Sequence, residues 1–217
     1  MLKERINSNS IQPDFSIPKG KSIDAIVNFL DIKLPFFTQD IQKGLTHEDE
    51  ISQDCCIYLN REARETFFMF HFQYKYIGKK RSSDMSIISA EKYETKEPLI
   101  VIEAKRLPTP GSGRQREYVK GNFGGIERFK RGFHGAGLQK SVVLGFIQKE
   151  TFAYWHKEVC TWINELIETN IDESINWEKD DLLKFEKSLK SINKYSSLNS
   201  RYKQSPIELS HYWIYTN

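Results

Sequence analysis

The hydrophobic pattern of the first part of the chain has the spacing of helices. Apolar residues recur at helical intervals from Ser22, which predicts a short leading helix. A second helix is predicted to begin at Thr46 as its N-cap residue, with acidic residues in its first turn. The predicted core-facing stripe of this second helix consists of Ile51, Cys55, Tyr58 and Leu59.

After the second helix the pattern changes to short apolar runs, which are typical of strands. The segment GKKRSS is predicted to turn the chain after the first run, and the charged EKYETKE separates the other two as a hairpin connection. The three predicted strands lie in TFFMFHFQYKYI, DMSIISA and PLIVIEAK.

The second half of the chain returns to helical spacing after a loop that is rich in Pro and Gly. GIERFKRGF predicts a basic helix, and SVVLGFI predicts a buried fourth strand. An amphipathic helix is predicted next, and its apolar face contains Phe152, Trp155, Val159, Trp162, Ile163 and Leu166. One more helix and a final strand at IELSHYWIY complete the prediction.

These elements predict an α/β fold, with a mixed sheet flanked by helices in a single domain overall. We expect an N-terminal extension over residues 1–45, a core over 46–170, and a helical and strand-containing extension over 171–217 that packs on the core. At 217 residues and 39% hydrophobic content, the chain has enough apolar residues for one large domain.

The charge balance restricts where a polyanion could bind. Charged residues form 28% of the chain, but the formal net charge is only +3, so a nucleic-acid surface would have to be a local patch. No signal peptide or membrane-spanning run is visible, so we expect a cytoplasmic protein. The three cysteines have neither disulfide-framework nor zinc-site spacing.

The segment LIVIEAK raises the main chemical question. Glu103 and Lys105 point to the same side of a predicted strand that is otherwise apolar, and buried charges need partners or a task. Asp84 stands at the start of the preceding strand, which antiparallel pairing brings beside the end of LIVIEAK. Two carboxylates and an amine therefore converge at one end of the sheet. The carboxylates suit Mg²⁺, and the lysine can orient or deprotonate the water that attacks a phosphodiester.

Asp84 followed by Glu103-Ala104-Lys105 resembles the motif of the PD-(D/E)xK nuclease superfamily, which has a restriction-endonuclease-like fold. The core of that family is helix, three strands, helix, strand, the order predicted here for residues 46–147. Ser83 stands where the motif has proline. The resemblance implies that a glutamate on the first core helix faces the metal. Glu48, in register with the apolar stripe, is the expected residue, and Glu50 is the alternative.

A basic segment follows the motif. We expect nucleic-acid contacts from Arg114, Arg116, Lys120, Arg128, Lys130, Arg131 and His134. For any one of these residues, an ordinary solvated position on a helix face is an equally good interpretation. The resemblance implies that Arg128 lies near the scissile phosphate. His134 either contacts a phosphate, acts as a base, or packs in its loop.

The resulting hypothesis is a Mg²⁺-dependent endonuclease, with Mn²⁺ as a substitute ion and DNA as the expected substrate. The resemblance implies a role in restriction or anti-phage defence, and a homodimer or a regulatory partner protein. The alternative is a catalytically inactive nucleic-acid-binding or scaffold protein that keeps the fold. The sequence leaves open whether the substrate is DNA or RNA.

Overall fold

A computed structural model describes residues 19–75, 82–91, 97–121, 124–169, 172 and 174–216. Most of the predicted turn GKKRSS and most of the predicted connection EKYETKE lie outside these ranges. The helices are α1 (Lys19–Asp40), α2 (Glu48–Glu62), α3 (Gly125–Lys130) and α4 (Phe152–Thr169). The strands are β1 (Phe68–Lys75), β2 (Ser82–Ser89), β3 (Ile100–Leu107), β4 (Lys140–Ile147), β5 (Lys184–Leu189), β6 (Ile192–Arg201) and β7 (Gln204–Tyr215).

The strands form one mixed sheet of seven strands in the order β1-β2-β3-β4-β7-β6-β5. The first three strands are antiparallel neighbours, β3 and β4 run parallel, and so do β4 and β7. The predicted α/β class and mixed sheet flanked by helices are confirmed, as is the order helix, three strands, helix, strand. Strands β5 to β7 extend this same sheet.

Two hydrophobic cores cover opposite faces of the sheet, because alternate residues of each strand point to opposite sides. On β3, Ile102 and Ala104 belong to the core that includes α1 and α2. Val101 and Leu107 belong to the core that includes α3 and α4. Since Glu103 and Lys105 alternate with Ala104, they lie on the α3 and α4 face.

The leading helix is longer than predicted. α1 extends over 22 residues and continues through Pro35. Leu34 and Phe37 on either side of this proline are completely buried in the core shared with α2. Tertiary packing of these side chains therefore offsets the cost of a proline within a helix.

The prediction of a C-terminal helix after residue 180 is wrong, because β5 and β6 occupy this region. The many Lys, Glu and Ser residues of this region do not form the apolar alternation that predicts a strand. The strands form because β6 pairs with β7 and β5 pairs with β6. Charged contacts to α1 stabilise this arrangement. Asp31 accepts a hydrogen bond from Tyr212 at 2.7 Å and pairs with Lys194 at 3.1 Å and Lys187 at 3.0 Å.

The predicted cap of α2 is displaced by one residue. His47, rather than Thr46, is the N-cap residue, and its side chain makes no capping hydrogen bond. The predicted stripe of Ile51, Cys55, Tyr58 and Leu59 is buried as expected. Glu48 is therefore the first residue of the helix and projects from the end that meets β3.

A buried polar network fixes the loop between β3 and α3. The Tyr118 hydroxyl lies 2.8 Å from His211 Nδ1 and accepts a hydrogen bond from the Trp213 indole at 2.8 Å. Ser197 lies 2.9 Å from the other nitrogen of His211. Burial lowers the pKa of His211 to about 3, so its ring is neutral and can bridge two hydroxyls. This network joins the loop to β6 and β7.

Within the described ranges, no helix combines the length and apolar character needed to cross a bilayer. The three cysteines are free thiols.

Candidate metal and phosphodiester site

The predicted site forms where β2 and β3 separate. The antiparallel pairing of these two strands ends at Met85 and Ile102. The next amide on that edge of β3, from Ala104, donates a hydrogen bond to Asp84 Oδ2 at 2.7 Å. The amide of Arg106 donates to Glu48 Oε2 at 2.9 Å. Two carboxylates therefore take the place of a backbone partner along β3, and this positions both of them beside Lys105.

Lys105 is the centre of the cluster. Its ammonium lies 3.0 Å from Glu103 Oε1, 3.0 Å from Glu48 Oε1 and 3.8 Å from Asp84 Oδ2. It also donates to the Ala104 carbonyl at 2.6 Å, and the side chain is only 5% exposed. Burial alone would lower the pKa of Lys105, but the three carboxylates raise it above its ordinary value. Lys105 is therefore a cation in this conformation.

Glu103 is completely buried and is approached by cations from two elements. Its Oε1 accepts a hydrogen bond from Arg128 of α3 at 2.7 Å and forms an ion pair with Lys105 at 3.0 Å. Its Oε2 accepts no hydrogen bond from the residues that the structure describes, and it lies 3.5 Å from His134 Nε2. A buried carboxylate oxygen without a donor is a costly feature, which a cation at this position would relieve.

Asp84 stays partly accessible, with 20% of its side chain exposed. Burial and the nearby charge of Glu103 together raise the pKa of Asp84 to about 6, against the opposing effect of Lys105. Asp84 Oδ2 and Glu103 Oε1 both face the Lys105 ammonium, at 3.8 and 3.0 Å. The expectation that the two carboxylates are close enough to share one cation stays a prediction.

Glu48 rather than Glu50 reaches the site. Glu48 contacts Lys105 and β3 through its two oxygens, whereas Glu50 is exposed to solvent. Both oxygens of Glu48 thus accept hydrogen bonds from the chain itself. In this arrangement Glu48 orients Lys105 and the end of β3.

Gly125 is a site residue that the sequence reasoning missed. A Cβ built at this position would lie 3.4 Å from Lys105 Cγ and 3.0 Å from the Tyr118 carbonyl oxygen. The amide of Gly125 donates to the Glu117 carbonyl at 2.8 Å. The glycine therefore allows the start of α3 to pack directly on the stem of Lys105. The two consecutive glycines in GNFGGIERF were the available signal.

The donor set can be tested for a divalent cation. Among the residues that the structure describes, no group of three or more His, Cys, Asp or Glu side chains is arranged to hold a metal. Mg²⁺, however, commonly takes only one or two protein carboxylates and completes its shell with water and phosphate oxygens. Asp84 and Glu103 are two carboxylates that face the same ammonium, and Glu103 Oε2 has no hydrogen-bond partner among the described residues. The residues present therefore fit a Mg²⁺ ion held by these two carboxylates.

The expected nucleic-acid contacts have different environments. Arg114 forms two hydrogen bonds with Glu117, at 2.6 and 2.7 Å, and Arg116 pairs with Glu165. Arg131 pairs with Glu127 and with Asp172, each at 2.7 Å. Lys120 is exposed to solvent. Arg128 and His134 contact Glu103, within the site itself.

For Lys130 the expected contact with nucleic acid is wrong. Its side chain is fully buried and its ammonium lies 2.7 Å from Asp181 Oδ1. The same ammonium lies 4.9 Å from the centre of the Trp177 ring. Lys130 therefore links α3 to the turn before β5 and has no access to a bound ligand.

Comparisons of the chain with protein-family models, curated proteins and solved structures find no match.

Proposed function

We propose that this protein is a metal-dependent endonuclease that hydrolyses phosphodiester bonds, with DNA as its expected substrate. One observation carries the proposal: three carboxylates from α2, β2 and β3 converge on the Lys105 ammonium, Glu48 and Glu103 at 3.0 Å and Asp84 at 3.8 Å. The order of α2, β1 to β3, α3 and β4 is also the order that the resemblance to the PD-(D/E)xK superfamily implies.

Each side chain has a distinct task in this proposal. Asp84 and Glu103 would hold Mg²⁺, which supplies Lewis-acid polarisation of a phosphoryl oxygen when bound. Lys105 presents a fixed positive charge to the attacking water and to the developing charge on phosphate. Glu48 holds that ammonium in place through its Oε1. Because Glu103 and Lys105 are nearly closed to solvent, these charges act in a medium of low dielectric constant.

A plasmid-nicking assay tests the proposal. Wild-type protein should nick plasmid DNA with Mg²⁺ or Mn²⁺, and EDTA should stop the reaction. Asp84→Asn should abolish nicking, because the amide is a poor ligand for Mg²⁺. Glu50→Gln is the matched control, since Glu50 lies on the same helical turn as Glu48 but is exposed. Nicking by a folded Asp84→Asn protein at the wild-type rate would overturn the proposal.

A second candidate function is favoured by the ion pairs themselves. Oε1 of Glu103 already forms ion pairs with Lys105 and Arg128, as expected for a structural charge cluster in a silent binding or scaffold protein. Calorimetric titration with Mn²⁺ separates the two candidates. Specific binding that Asp84→Asn removes supports the enzyme, and no binding heat at all supports the scaffold.

A further inference from the structure

A cleft with aromatic walls lies on the same side of the sheet as Glu103 and Lys105. It has a volume of about 620 Å³ between the loop that follows β3 and the helix α4. The loop contributes Pro108, Arg116 and Lys120, and α4 contributes Tyr154, Trp155 and Trp162. Trp155 and Trp162 belong to the core on this face of the sheet, whereas neither that packing nor the proposed hydrolysis explains the exposed ring of Tyr154.

The three rings form a connected series along α4. The ring centres of Tyr154 and Trp155 lie 5.1 Å apart at 85°, and those of Trp155 and Trp162 lie 6.3 Å apart. Both tryptophans are nearly buried and fix the wall, whereas Tyr154 is 44% exposed. The exposed ring of Tyr154 therefore offers a rigid face to a planar ligand.

Lys120 supplies an exposed cation to the cleft, beside the ring of Tyr154. Arg116 is 41% exposed but is already paired with Glu165. The lining carboxylate of Glu117 is already neutralised by its two hydrogen bonds with Arg114. Glu158 is the other acid in the lining. A planar ring next to a phosphate matches this combination, and a purely apolar ligand does not.

The cleft is also connected to the proposed site through the backbone. The carbonyl of Glu117 accepts a hydrogen bond from the amide of Gly125 at 2.8 Å. Gly125 in turn packs against the stem of Lys105. One loop therefore forms a wall of the cleft and supports the start of α3 over Lys105.

We propose that this cleft binds an unpaired nucleobase, with Tyr154 stacking on the base and Lys120 contacting a flanking phosphate. A base inside a duplex is already stacked and cannot enter, so the preferred ligand is single-stranded nucleic acid or an extruded nucleotide. The inference rests on the proposed function in one respect, that the bound nucleotide lies beside the strand that is cut. Base binding itself does not depend on hydrolysis.

The ion pairs of the basic segment support a single strand over a duplex. Tracking a duplex relies on cations that neutralise many phosphates. Here Arg114, Arg116 and Arg131 each pair with a carboxylate, and Lys130 is buried. Phosphate contacts from these residues would require existing ion pairs to be opened or shared. Stacking in the cleft does not carry this cost.

The test measures binding in EDTA, where no metal-dependent cleavage occurs. Fluorescence anisotropy follows a labelled dodecadeoxyadenylate, an abasic strand of the same length, and a blunt duplex. We expect the base-containing strand to bind about tenfold more tightly than the abasic strand. Tyr154→Ala and Tyr154→Leu should both remove this difference, because neither side chain has a ring face. Tyr202→Ala, which removes a 60% exposed ring between β6 and β7, is the matched control and should keep it.

The outcomes separate this inference from the proposed function. Equal binding of the abasic strand, tighter binding of the duplex, or wild-type behaviour of a folded Tyr154→Ala protein would overturn the nucleobase site. If the base-dependent binding is present but Mg²⁺ produces no nicking, only the endonuclease proposal fails. Nicking without base-dependent binding would reject the cleft and leave the catalytic proposal intact.

Discussion

The charged ends of Lys105 and Glu103 meet at 3.0 Å, although both residues project from one strand into the interior of the protein. Only 5% of the lysine side chain and none of the glutamate side chain is exposed. Taking two ions out of water is costly, and a contact of this kind is retained where it is part of a larger set of charges. Arg128, Asp84 and Glu48 complete that set.

Replacing the lysine separates its chemical task from its structural one. Lys105→Met keeps the apolar stem but leaves Glu103, Asp84 and Glu48 without their shared ammonium. We expect nicking to fall by about 10²- to 10³-fold, the typical cost of losing one preorganised electrostatic contact. The free energy of unfolding should fall by about 3 kcal/mol or more, because buried carboxylates lose a partner. Single-turnover nicking and urea denaturation measure the two effects.

The control for this prediction is Lys184→Met. Lys184 pairs with Asp180 at 2.9 Å, but both side chains are about 60% exposed. A surface pair of this kind contributes about 0–1 kcal/mol, so stability and nicking should stay near wild type. Equal effects of Lys105→Met and Lys184→Met would show that burial of the Lys105 cluster has no special consequence.

A separate prediction concerns Glu48. Its two oxygens hold the Lys105 ammonium and the Arg106 amide, so we expect it to act by positioning Lys105. Glu48→Gln keeps one oxygen acceptor and should reduce nicking less than Glu48→Ala does. Calorimetric Mn²⁺ affinity should change less in Glu48→Gln than in Asp84→Asn. A Mn²⁺ affinity that falls equally in both variants would instead identify Glu48 as a metal ligand, the role that the sequence resemblance implies.

The central part of the site was predictable because it depends on local patterns. Because successive side chains of a strand point to opposite faces, Glu103 and Lys105 must share one face of β3. The hairpin connection brings the start of β2 beside them. The choice of Glu48 over Glu50 followed from the register of one helix with its apolar stripe. Each of these inferences needs only the period of a single element and one antiparallel pairing.

The environment of the basic segment was not predictable by the same means. Lys130 and Asp181 are 51 residues apart, and Asp181 lies in a region whose elements were mispredicted. A lysine on a short helix has the same local pattern whether it faces solvent or a distant carboxylate. Similarly, α1 continues past Pro35 and β5 and β6 replace a predicted helix because tertiary contacts outweigh local propensity.

The Lys130–Asp181 pair gives a prediction that opposes a nucleic-acid role for Lys130. Lys130→Ala should lower the free energy of unfolding by about 3–5 kcal/mol, because it leaves the buried Asp181 carboxylate without its ion pair. The double replacement Lys130→Met with Asp181→Leu should recover most of that loss, since no charge is then buried alone. Thermal or urea denaturation measures both proteins.

Binding measurements on the double variant complete this test. Because the Lys130 side chain is fully buried, affinity for single-stranded DNA should equal that of wild type. Lys120→Ala is the comparison, since Lys120 is an exposed cation ten residues earlier on the same segment. Its affinity should fall and the salt dependence should become shallower by about one unit of slope for a lost phosphate contact. A weakened double variant that is fully folded would return Lys130 to the binding surface.

The raised pKa of Asp84 predicts how stability depends on pH in the absence of metal. Its pKa is about 6 in the folded protein and about 3.9 in an unfolded chain, so between these values the folded state binds more protons. Stability from this group therefore falls as pH rises, by on the order of 1.4 kcal/mol per pH unit in that window. His211 acts in the opposite direction, because its lowered pKa makes the unfolded state bind more protons below about 6.5.

Since these two contributions nearly cancel between pH 4 and 6, the wild-type curve alone does not isolate Asp84. Asp84→Asn removes the titrating carboxyl but keeps an oxygen that accepts from the Ala104 amide. The variant should have about wild-type stability near pH 4 and should become progressively more stable than wild type as pH rises to 7. Urea denaturation in EDTA at several pH values gives this difference directly. A difference that stays constant from pH 4 to 7 would mean that Asp84 ionises in the folded protein as it does in an unfolded chain.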